Sequence, residues 1–122
     1  MSGDQSELAR AAFRALYEAW RRLPLPDGSA DDDDVDELHA DLALAVVNVA
    51  GPVVTFINTG KVASRAQFDA NLGDLTDLLR RADTLASSAS GDGRERATEY
   101  QAYIRLTTEV WQSYLAVTRP HP

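Results

Sequence analysis

Apolar residues recur at alternating gaps of three and four in four separate runs of this chain. The first reads Ala9, Phe13, Leu16, Trp20 and Leu23. The second reads Val35, Leu38, Leu42, Ala45, Val49, Val53 and Phe56. The third reads Phe68, Leu72, Leu75, Leu79, Ala82 and Ala86, and the fourth Ala97, Tyr100, Ile104, Thr107, Trp111 and Tyr114. That spacing puts each run on one face of an α-helix. It predicts helices over about residues 4–23, 34–58, 64–87 and 94–118. Polar joints separate them, so the expected fold is all-α: an antiparallel four-helix bundle filling one domain over residues 1–122.

The punctuation agrees. Pro24 and Pro26 end the first helix, because proline cannot continue the hydrogen-bond ladder, and Asp27-Gly28 supplies a turn. Gly60 suits the left-handed residue that closes a helix, and Ser64 with Gln67 forms a capping pattern for the third helix. Residues 87–93 read as a polar, glycine-rich loop, and Pro120 closes the fourth helix.

The second helix carries more apolar surface than a bundle helix needs. Beside its first stripe runs another, formed by Ala43, Val46 or Val47, Ala50, Val54 and Ile57. At its middle sits Gly51-Pro52. Pro52 has no N–H for the carbonyl of Asn48, a loss that costs on the order of 3 kcal/mol inside a helix, so a kink is expected there. The β-branched runs 46–49 and 52–57 would also suit a hairpin turning at Ala50-Gly51. The stripe that continues unbroken from Val35 to Phe56 favours the helix.

The formal charge is −7, with arginine outnumbering lysine eleven to one. A surplus of carboxylates repels nucleic-acid phosphates, and the Arg21-Arg22 and Arg80-Arg81 pairs read as solvated helix surface, so no nucleic-acid partner is expected. The aspartate run Asp31–Asp34 fits the start of the second helix, where carboxylates oppose the positive end of the dipole. A basic partner is the other reading of that run. Cysteine is absent, which removes disulfides, thiolate metal sites and a thiol nucleophile from consideration. The first residues lack the pattern of a signal peptide. The longest apolar stretch, 42–57, falls short of the roughly 20 residues of a membrane span. The expectation is a cytoplasmic protein with no membrane partner.

Two constellations bear on chemistry. Asp36 and His39 lie one helical turn apart, a spacing used by di-iron bundles, but the second histidine, His121, falls in the tail. On the second and third predicted helices, Asp34 and Glu37 face forward to Asn71, Asp74 and Asp77. Carboxylates spaced by three on neighbouring helices suit Mg²⁺, which prefers hard oxygen ligands. Over about a dozen residues this resembles the all-α nucleoside triphosphate pyrophosphohydrolases of the MazG type. The resemblance implies Asp34 and Glu37 in that family's first acidic motif and Asp74 at the end of its second, with Mg²⁺ as cofactor. Asn71 stands where the family has a glutamate.

The main functional expectation is a non-enzymatic helical interaction protein, self-associating as a homodimer or joined to another helical protein, in a regulatory or structural role. Its interface would comprise Ala43, Val46, Val47, Ala50, Val54 and Ile57, with no catalytic residue, no metal and no cofactor. The alternative is the metal-dependent pyrophosphohydrolase on Asp34, Glu37 and Asp74.

Overall fold

The computed structural model describes residues 2–25, 33–88 and 91–118. They form four α-helices: α1 (Ser2–Arg22), α2 (Asp33–Thr59), α3 (Arg65–Ser88) and α4 (Asp92–Thr118). No strand occurs among the described residues, so the hairpin alternative for 46–57 is excluded. Pro52 lies inside α2 without ending it.

The helices alternate in direction. Phe13, Phe56, Phe68 and Tyr114 gather together, drawn from the middle of α1, the end of α2, the start of α3 and the end of α4. The Tyr114 ring stacks on Trp111 at 4.7 Å between centroids and meets Phe56 edge-on at 5.9 Å. Trp111 in turn stacks on Phe68 at 5.0 Å. Toward the other end Trp20 packs near Tyr17 and Tyr103, and His39 lies against Tyr100. Such ring pairs contribute beyond the area they bury, by about 0.5–1.5 kcal/mol each.

α4 is the hub, packing against α1, α2 and α3, while α3 also packs on α2. Its buried residues, Ala97, Tyr100, Ile104, Thr107, Trp111 and Tyr114, are the whole of its sequence stripe, widened by Tyr103 and Val110. The core polar groups are satisfied. Trp20 Nε1 donates to Thr107 Oγ1 at 2.8 Å, and Trp111 Nε1 to the Phe68 carbonyl at 3.0 Å. Among the described residues no buried side-chain nitrogen or oxygen lacks a hydrogen-bond partner.

Two stripes are rotated from their sequence reading. In α1, Ala9 and Leu23 are exposed and Tyr17 is buried in their place. In α3, Asn71 and Leu78 are buried, whereas Leu72 and Leu79 are half-buried. The end caps match their sequence signals. Gly60 takes φ 75° and its N–H bonds the Phe56 carbonyl at 2.8 Å, closing α2. The Ser64 hydroxyl accepts from the Gln67 N–H at 3.1 Å, opening α3.

Candidate functional site

α2 buries one face completely. Val35, Leu38, Leu42, Val49 and Val53 have no solvent exposure, and Ala45 has little. Of the six residues read as an interface, Val46, Ala50 and Ile57 are half-buried against the chain's own core, and Ala43 is half-buried beside them. They form the flank of the bundle helix. Val47 and Val54 remain exposed, at 64% and 41%, and Leu44 joins them at 63%.

Those three sit opposite the buried face. With Ala40, Gly51 and Asn58 they make a line in the order Ala40, Leu44, Val47, Gly51, Val54, Asn58, every member exposed. The gaps run four, three, four, three, four, the heptad spacing that keeps a seam facing a second helix. At 1.5 Å per residue the seam is about 27 Å long. The stripe Ala43, Val46, Ala50 and Ile57 lies adjacent to the buried face, whereas the exposed apolar line lies opposite it and includes Leu44, which is outside the expected set.

The apolar excess has a second expression. The helical stretch Val35–Thr59 is long and apolar enough to cross a membrane by length and composition, and 22% of its most apolar window is buried within the chain. The apolar run 42–57 alone is too short to span, but the helix extends the apolar frame toward its N-terminus through Val35 and Leu38.

The polar candidates do not assemble. Glu37 is exposed and lines a cleft with Arg80, Arg81 and Thr84. Asp74 lines a different cleft with Asp41, Asp77 and Arg81. Asp41 is already paired with Arg81 at 2.8 Å, and Asp77 with Arg80. Asn71 faces inward and donates to the Asn48 carbonyl at 3.0 Å. The side chain of Asp34 lies outside the described residues, as do Asp31, Asp32 and His121. Among the described residues no group of three His, Cys, Asp or Glu could hold a metal ion. Asp36 is exposed, and His39, half-buried, serves as a neighbour of the Tyr100 ring.

One open groove was not foreseen. α1 leans on α4 and stands off from α2, leaving a cavity of about 790 Å³ lined by Phe13, Phe56, Ile57, Arg10, Arg14 and Glu7. Its rim mixes both signs of charge and so selects no single ligand charge.

Neither a family model, nor a curated protein, nor a solved structure matches this chain. Any functional reading therefore rests on its own geometry.

Proposed function

We propose that the chain is a non-enzymatic, self-associating helical module whose contact surface is the outer face of α2. One observation carries this reading: Leu44, Val47 and Val54 stand exposed in a heptad line on the side of α2 that its own bundle leaves uncovered. Burying a valine or leucine fully stabilises by roughly 1.5–3 kcal/mol, so a second helix laid along this line would gain several kcal/mol from three residues on each side. Ala40 and Gly51 between them add little bulk and permit close approach of two backbones. Contiguous apolar surface of this kind marks contact sites in soluble proteins. The module would act as a regulatory or structural subunit.

The metal-dependent hydrolase reading has no comparable support, because Glu37 and Asp74 line separate clefts and Asn71 is committed to the backbone of α2.

Light scattering at tens of micromolar tests the proposal. The wild type is expected at twice the chain mass. Val54→Asp should run as a monomer with unchanged helical circular dichroism, since Val54 is not part of the core. A monomeric wild type, or a Val54→Asp variant that still dimerises, would overturn it.

A further inference from the structure

The seam on α2 is nearly its own complement when reversed. Bulk alternates along it: Leu44 and Val47 in the first half, Gly51 and Val54 in the second, with Ala40 and Asn58 at the ends. Laid antiparallel on a second copy about a centre level with Val49, Leu44 meets the partner's Val54. Val47 meets the partner's Gly51, and Ala40 meets the partner's Asn58. Each layer pairs a larger side chain with a smaller or polar one. A two-fold axis generates every one of these contacts twice.

Charge selects the same orientation. The start of α2 carries Asp36 and Glu37, both exposed, while Asp41 a turn later is paired with Arg81. Beyond its end lies Lys61, the chain's single lysine, also exposed and sharing a surface groove with Thr55 of α2. In a parallel pair Glu37 would face Glu37 and the acidic starts would repel. In the antiparallel pair the register that matches the apolar layers sets Thr59, the last residue of α2, level with the partner's His39, so that Lys61 just beyond one helix end comes within reach of the partner's Glu37. The two helix dipoles then oppose as well. No ion pair within the described residues occupies either Lys61 or Glu37.

We infer that the occupant of the α2 outer face is a second copy of this chain, held antiparallel with Leu44 against the partner's Val54 and Lys61 against the partner's Glu37. This inference rests on the self-association proposed above and adds its geometry.

Zero-length carbodiimide coupling of the full chain, read by mass spectrometry of peptides, tests it. Within one chain α2 alone separates Glu37 from its last residue, Thr59, by about 33 Å, so an amide between Glu37 and Lys61 can form only between copies. The expected result is a dimer by light scattering with a Lys61–Glu37 link, both lost in Val54→Asp. Lys61→Glu should weaken the dimer about threefold, the scale of an exposed ion pair, and adding Glu37→Lys should restore it. A dimer lacking any link from Lys61 to the start of α2 overturns the antiparallel register but leaves self-association standing. A monomer with no link overturns both. A monomer that floats with phosphatidylcholine–phosphatidylglycerol vesicles overturns both in favour of lipid as the occupant.

Discussion

Asn71 of α3 donates its side-chain amide to the backbone carbonyl of Asn48 in α2, at 3.0 Å. That carbonyl is the one Pro52 leaves without its helical donor, four residues on. Asn71 is 8% exposed, so the bond lies out of water, where an unmade hydrogen bond is costly. The proline defect inside α2 and the polar residue inside the α3 core are thus one device. Asn71→Leu keeps approximate volume and removes the donor, and should destabilise by about 1–3 kcal/mol. The same substitution should cost less in a Pro52→Ala background, where the new alanine supplies a backbone N–H of its own. Urea denaturation of the four proteins completes the cycle, and equal costs in both backgrounds would rule the pairing out as the reason for Asn71.

The second buried polar pair predicts a different signature. Trp20 Nε1 donates to Thr107 Oγ1 at 2.8 Å, and Thr107 in turn donates to the Tyr103 carbonyl at 2.8 Å. Thr107→Val preserves shape and strands the indole N–H, so it should cost about 1–3 kcal/mol. Thr107→Ser keeps the acceptor and should recover most of that loss. Chemical denaturation followed by circular dichroism measures both, and a Thr107→Val variant as stable as wild type would show the bond to be idle.

Burial raises the Tyr103 phenol above its ordinary value of 10.0, because the phenolate would lose its hydration. The unfolded chain therefore releases this proton first as pH rises. The unfolded state binds fewer protons than the native state above pH 10, so stability is full below that pH and falls as pH climbs through the folded pKa. Ultraviolet titration of the wild type against Tyr103→Phe should show that the phenol lost in the variant is one that ionises above pH 10, and the variant should flatten the alkaline decline in unfolding free energy. An identical decline in the variant would assign the loss to other groups.

The all-α fold and its four helices were legible because α4 and α2 bury nearly the same residues their periodicity nominates. α4 is the central helix, and α2 must hide an entire face, so packing and pattern coincide. α1 touches mainly one neighbour, so its contact line could shift to Tyr17 and leave Leu23 outside. In α3 the inward turn of Asn71 was illegible from hydrophobicity, since its reason lies on another helix. The sequence did expose the cause, the carbonyl orphaned by Pro52, but not which side chain answers it. At the candidate site the apolar surplus of α2 was readable. Its direction was not, because a stripe beside the core and a stripe opposite it differ only once the core face is fixed by neighbours.

Two glycines with open space around them should respond oppositely to the same substitution. An added Cβ meets nothing within 4 Å at Gly73 or at Gly60. Gly73 lies inside α3 with helical backbone, where alanine replaces the least constrained residue with the best helix former. Gly73→Ala should therefore raise stability by up to about 1 kcal/mol. Gly60 holds φ 75° to close α2, a left-handed conformation that a Cβ strains by roughly 1–2 kcal/mol. Gly60→Ala should lower the melting temperature although no atom is crowded. Thermal denaturation of both variants separates backbone strain from space filling, and a shift of the same sign in the two would mean that Gly60 does not need its left-handed geometry to end the helix.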